Sequence, residues 1–279
     1  MRWLPFNAGL VHRALREIVW PTLVFAGFVG TIGGMLSSFL PRIQARFMTR
    51  QFIPPPVKAF RDALFGFDPG NAGVAELAFS LAWSHPVIIT LLAAHAILVC
   101  TRVLAGEVER GTIDVLLALP VSRWRLFISE STAWLVSGTT LLGGLYLGSF
   151  IGAQFIPTEH RPDWSRLAMV LANLALVYAV ISTSSMLAAV LTDRRARAVL
   201  TVIILTVSSV LITFLYTLDP SLEFTKKLRF LSVLDYYTPI KTLLSGQWPV
   251  RDMLWLAGAS LTIWLAAGLV LSRRDVTTT

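Results

Sequence analysis

Residues 102–130, RVLAGEVERGTIDVLLALPVSRWRLFISE, lie between two long apolar segments and carry a dense run of charge in a chain that is otherwise apolar. Helical geometry over 107–119, at about 100° per residue, puts Glu107, Arg110, Gly111 and Asp114 on one face. Val108, Thr112, Val115, Leu116 and Leu119 fall on the other. Glu107–Arg110 and Arg110–Asp114 stand at i,i+3 and i,i+4 spacing, so these charges can satisfy one another on a solvated face. Pro120 disfavours helical geometry at Leu119, and Ser122 is placed to cap a second helix running into the next apolar segment. The pattern predicts a bent helix pair along the membrane surface, an elbow; a surface loop laced with salt bridges fits the same residues.

The composition says what the elbow is attached to. Of 279 residues 55% are hydrophobic and 14% charged, where a soluble domain carries roughly 25% charge. The chain reads as an all-α polytopic membrane protein of one domain, 1–279. Six segments are apolar over roughly the 20 residues that a crossing needs: 18–40, 86–103, 129–151, 167–191, 198–218 and 253–271. An even number of crossings puts both termini on one side. Lys and Arg divide evenly between the two sides, but those on the elbow side crowd the span ends, where the positive-inside bias acts, so both termini are expected in the cytoplasm.

Residues 1–17 mix apolar positions with His12, Arg13 and Arg16, and Asn7 is placed to cap a helix ending near Trp20-Pro21. That helix is expected to lie in the interface. The apolar stretch 18–40 is too long for the core of a cleaved signal and is expected to stay as an anchor. On the outer side, a Pro-rich region (41–85) is expected to hold short helices at 56–65 and 74–83. Residues 220–250 have too few apolar positions for a crossing and are expected to form interfacial or re-entrant helices.

Several function classes drop out. The net charge of +8 contains no basic run longer than Arg194-Arg195 with Arg197, so membrane topology accounts for it and nucleic acid is not expected as a partner. One cysteine, Cys100, and four scattered histidines (His12, His85, His95, His160) offer no metal spacing, and no Ser/His/Asp set suggests an enzyme. There is no GxxxxGK[ST]; Lys58, Lys226, Lys227 and Lys241 follow no glycine-rich loop. No Asp, Glu, Lys or Arg lies well inside a span, which counts against an ion-coupled carrier.

The spans carry a few further marks. His95 and Asn173, the strongly polar interior residues, are expected to hydrogen-bond neighbouring helices. Gly144, Gly148 and Gly152 recur every four residues and form a packing surface, within the subunit or across a dimer. Thr201, Thr206, Ser208, Ser209 and Thr213 either line a mildly polar path or bond their own helix carbonyls. Trp83, Trp164, Trp248 and Trp255 near one boundary, and Trp3, Trp20 and Trp124 near the other, read as an aromatic belt against membrane lipid.

GEVERGTIDVLLALPVSRWRL (106–126) resembles the signature of ABC-2-type exporter permeases, in which a Glu-x-Glu-Arg-Gly-Thr run leads into Leu-Leu and then Pro-Val-Ser-Arg. Two weaker similarities follow in order: LSVLDYY (231–237) with Gly246 before the last span, and Arg273-Arg274-Asp275-Val276 at the end. The resemblance departs at Val233, where many relatives have proline, and in the arginine-rich loop 42–61; it carries no substrate with it. What it implies is the transmembrane permease subunit of an ATP-driven ABC exporter in a prokaryotic plasma or inner membrane. Such a subunit pairs with a second copy or paralogue as a dimer and with separate P-loop ATPase subunits, which bind ATP and Mg; this chain itself needs no cofactor. The elbow then resembles the coupling helix, with Glu107, Glu109, Arg110, Gly111, Thr112, Asp114, Leu116, Leu117, Pro120, Ser122 and Arg123 as ATPase-coupling residues. Arg194, Arg195 and Arg197 are a second possible contact. Two alternatives stay open: a membrane anchor or scaffold for an ATPase without transport, and an ATP-independent channel or carrier.

Overall fold

The computed structural model describes residues 7–48, 73–102, 121–192, 194–218 and 223–273. Among them every regular element is helical: α1 (Ala8–Met48), α2 (Val74–Trp83), α3 (Pro86–Arg102), α4 (Arg123–Ala153), α5 (Trp164–Leu191), α6 (Arg195–Leu218), α7 (Glu223–Leu228), α8 (Pro239–Ser245) and α9 (Val250–Arg273), with short 3₁₀ turns at 158–160, 229–231 and 233–236. Six helices among the described residues are long and apolar enough to cross a membrane: α1, α2 with α3, α4, α5, α6 and α9. The spans expected from hydropathy are all present. Most run further because helix continues into their charged ends, where water rather than lipid is the solvent. Along α1, Glu17 to Arg42 covers about 37 Å at 1.5 Å per residue, enough for a tilted crossing of a hydrocarbon core about 30 Å thick.

The first helix corrects one expectation. Asn7 does cap it, its Oδ1 accepting from Gly9 N at 2.9 Å. The helix does not end at Trp20-Pro21, however; it continues through Pro21 and Pro41 to Met48, so the interfacial segment and the first span are one element. Pro21 removes a single backbone hydrogen bond, whereas a break would orphan a whole turn of carbonyls and N–H groups beside lipid.

The most extensive interface joins α1 and α4. They run parallel, and small residues interlock along them: a Cβ on Gly144 would lie 2.8 Å from Ala26 O, one on Gly148 2.0 Å from Gly30 O, and one on Gly152 2.1 Å from Gly34 O. The glycine repeat is therefore packing within the subunit. Because lipid tails are as apolar as side chains, helices in a bilayer associate through close van der Waals contact, and glycine permits the closest. A second large interface joins α5 to α9, while α3 packs on α5, α1 and α6.

On the face away from the elbow, α2 and α8 form as expected, whereas 56–65 lies outside the described residues. Trp83 is not in a lipid-facing belt: it is fully buried, its Nε1 donating to Ser149 Oγ at 3.0 Å while Tyr237 OH donates to its carbonyl at 3.4 Å. Burial pushes the Tyr237 phenol up, so it stays protonated and able to donate. Trp124 is likewise packed inward against Phe127 and Trp264, whereas Trp20, Trp248 and Trp255 are exposed where a belt requires them. Trp3 lies outside the described residues. The last connection turns at Gly246, whose φ of 62° is left-handed and whose N–H bonds Thr242 O, while Arg166 Nη1 donates to Leu243 O at 2.8 Å.

The interlock makes a sharp contrast testable. Gly148→Leu forces α1 and α4 apart and should cost about 1–3 kcal/mol or more, seen as a lower thermal unfolding midpoint in detergent. Gly143→Leu, with nothing within 4 Å of its added Cβ, should leave the midpoint unchanged.

Candidate functional site

The elbow leaves the membrane after α3 and returns at α4, and the structure describes both of its ends. Glu107, Glu109, Arg110, Gly111, Thr112, Asp114, Leu116, Leu117 and Pro120 lie outside the described residues. At the return, Ser122 is the predicted N-cap: its Oγ accepts from Arg125 N at 3.3 Å and α4 starts at the half-buried Arg123.

At the exit, Arg102 ends α3 and is almost wholly buried. Its guanidinium pairs with Glu17 of α1 and stands 3.6 Å from Glu130 Oε2 of α4. Arg13 Nε holds the other oxygen of Glu17 at 2.9 Å. Three helices are thus tied by charge at the level where the elbow begins. The guanidinium presents a planar fork of donors, which lets one cation serve two carboxylates. Neighbouring contacts tighten the same level: Asn7 N donates to Ser129 Oγ at 2.9 Å, bringing the start of α1 to α4. A fourth helix joins through Arg195, which donates from Nη2 to Leu98 O at 3.2 Å and from Nε to Thr101 Oγ1 at 3.3 Å, satisfying the carbonyl end of α3. Of the three arginines expected to make a second contact, Arg195 is thus turned inward to α3, and Arg194 and Arg197 are exposed.

Two turns deeper, His95 of α3 lies fully buried among hydroxyls from three other helices. Its Nδ1 is 3.0 Å from Tyr178 OH of α5, and its Nε2 is 3.3 Å from both Thr22 Oγ1 of α1 and Ser137 Oγ of α4. The expectation of a structural hydrogen bond to a neighbouring helix holds for His95, threefold. It does not hold for Asn173, buried on α5, whose amide nitrogen and oxygen have no hydrogen-bond partner among the described residues.

The hydroxyls of α6 divide. Thr201 bonds Arg197 O of its own helix at 2.9 Å. Ser209 Oγ accepts from Val233 N at 2.9 Å and Ser232 donates to Ser209 O at 2.8 Å, pinning the 229–236 turns to α6. Thr206, Ser208 and Ser209 line a mainly apolar cavity of about 460 Å³ between α5, α6, α9 and those turns. A second, apolar groove of about 700 Å³ runs between α3 and α6 with Arg195 at its elbow end. Neither cavity brings together titratable groups for chemistry on a bound molecule; both suit apolar chains. Among the described residues no three His, Cys, Asp or Glu are grouped to hold a metal.

Glu17, Arg102 and Glu130 were not singled out as a set from sequence. The available signal was that each is a charged residue bordering a span, all three on one side, with opposite signs on adjacent crossings.

The fold is that of a multi-pass helical membrane protein, and in sequence a dense run of charge joins spans two and three. The chain belongs to the ABC-2 transporter family: the family model described as ABC-2 family transporter protein matches residues 32–274, a match that includes the elbow. Members are membrane components that work with an ATPase partner. No curated protein and no solved structure matches the chain.

The hydroxyl cluster predicts graded losses. At roughly 0.6 kcal/mol for each intramembrane hydrogen bond, Thr22→Val, which leaves Ser137 on the shared Nε2, should cost at most one such step and His95→Ala about two, near 1.2 kcal/mol, read as successive drops in the thermal midpoint. Equal drops for the two variants would contradict the shared role of His95.

Proposed function

We propose that the chain is the permease subunit of an ATP-driven exporter: separate P-loop ATPase subunits press on the elbow, and the spans respond by moving substrate across the membrane. The observation that carries this reading is the family match running through a segment with the Glu-x-Glu-Arg-Gly-Thr pattern. Two further facts support it. The sequence contains no P-loop of its own, and charge in the described spans sits at their ends, leaving no buried ion-coupling group in mid-membrane. A permease without an internal energy source requires work from outside.

In this reading ATP and Mg reside on the partner, both termini face the cytoplasm with the elbow, and two copies or close relatives pair in the plasma or inner membrane. The pairing is supported by α6, which is the least covered of the six crossings and exposes Leu200, Ile203, Ile204, Val207 and Leu211. Glu107, Glu109, Arg110 and Asp114 make or orient polar contacts to the ATPase, Gly111 allows close approach, and Pro120 sets the bend. Leu116 and Leu117 seat the elbow, and Arg194 and Arg197 add a second contact.

Arg110→Glu reverses the central charge of the elbow. The purified complex should remain folded and inserted while losing substrate-stimulated ATP hydrolysis and ATP-dependent uptake into inverted vesicles. Full retention of both would refute the assignment. An anchor without transport would hydrolyse ATP but accumulate nothing in the wild-type vesicles, and a channel or carrier would move solute without ATP.

A further inference from the structure

Resting on that reading, we infer that Arg102 is the positioning residue that carries displacement of the elbow into the membrane, acting through Glu17 and Glu130 on the α1–α4 pair. The elbow is joined to α3 at one end and to α4 at the other, so force on it reaches the last turn of α3, whose last residue is Arg102, as well as the start of α4. There the guanidinium holds one carboxylate of α1 and one of α4 while only a tenth of its side chain is exposed. A surface ion pair of mobile side chains transmits little because each partner follows the solvent. Here the cation is enclosed, and the side chains of Glu130 and Glu17 are about four-fifths and two-thirds covered. A shift of the α3 end must either drag Glu17 and Glu130 with it or leave the buried charge of Arg102 uncompensated, and the second course is the expensive one.

What the two glutamates are attached to gives the movement its reach. α1 and α4 interlock through glycines against backbone carbonyls up to Gly34 and Gly152, near the opposite face. Arg42 of α1 also bonds Phe155 O just past the end of α4. A push delivered at Glu17 and Glu130 therefore moves a rigid pair along its whole length. Among the described residues the α5–α9 pair meets α3 by the packing of α5 and by the neutral His95–Tyr178 bond higher in the membrane. The charge cluster is thus placed to move one helix pair against the other when the elbow is displaced.

The test uses the complex purified in lipid nanodiscs through a tag on this chain, with whatever ATPase accompanies it. Spin labels are placed on cysteines introduced at Phe155, past the end of α4, and at Trp248, before α9, both exposed and on the face away from the elbow. The native Cys100 is buried and should stay unlabelled. Distances are measured by pulsed electron resonance without nucleotide and with ATP and vanadate. The parent complex should show a nucleotide-dependent shift in the label distance. Arg102→Met should abolish the shift while the ATPase still copurifies, Arg102→Lys should restore part of it, and Glu130→Gln should weaken it with little loss of thermal stability. Should Arg102→Met not assemble, Glu130→Gln and Glu17→Gln carry the decision. A full shift in Arg102→Met, or in both glutamine variants, overturns the joint and leaves the exporter reading standing. A parent complex without an ATPase, or without any shift, overturns both.

Discussion

The close contact of α1 with α4 is the constraint on which the rest of the arrangement depends. Ala26, Gly30 and Gly34 of one helix meet Gly144, Gly148 and Gly152 of the other so closely that an added Cβ would strike a carbonyl. In lipid this contact has to supply the attraction itself, since no water is released when two apolar helices meet. Its register also settles heights. With Gly30 against Gly148, Glu17 and Glu130 fall near the same end of the pair, within reach of the one guanidinium of Arg102, and the long side chain of Arg42 reaches Phe155 O at the other. A shift of one residue along either helix would put side chains against the opposing backbone and separate the charges that now meet at Arg102.

Much of this was legible in the chain, and the reasons differ from residue to residue. Crossings are read from composition because a bilayer demands about 20 apolar residues, so each of the six appeared where expected. Ser122 and Asn7 were legible because helix caps are local chemistry. The continuation of α1 through Pro21 was not: proline's local preference for a break competes with the cost of exposing backbone to lipid, and only the second term depends on depth in the membrane. Trp83 and Trp124 misled for a related reason. An aromatic near a boundary suits both a lipid-facing belt and a core, and which one it joins depends on the opposing helix, Ser149 in one case and Trp264 in the other.

The candidate site divides along the same line. The charged face of the elbow is a local pattern, and the spacing of Glu107, Arg110 and Asp114 points to it without any tertiary knowledge. The ion cluster joins residues 17, 102 and 130, and the hydroxyl cluster joins 22, 95, 137 and 178. Nothing in the spacing of those positions connects them, because the connection is made by the α1–α4 register and by the way α3 lies across it. Single polar residues in otherwise apolar helices are the visible trace, and their partners become identifiable only when the crossings are assembled.

The two polar levels differ in kind because depth sets their cost. A full charge in mid-membrane costs about 2.5–3.5 kcal/mol by insertion measurements, and it is the boundary that holds Arg102 and its glutamates. Seven residues back along α3, about 10 Å at the helical rise, the same task of joining α3 to α1 and α4 falls to an imidazole and two hydroxyls, those of Thr22 and Ser137. Dispersion between smooth apolar helices fixes their separation far better than their rotation. Directional bonds at two heights fix the rotation of α3 as well: Arg102 and His95, seven residues apart, lie two turns apart on one helix face, and both are turned toward the α1–α4 pair. The imidazole also reaches onward to α5, through Tyr178. Among the described residues α3 is keyed by charge to α1 and α4, and it meets α5 through neutral polar contact and close packing.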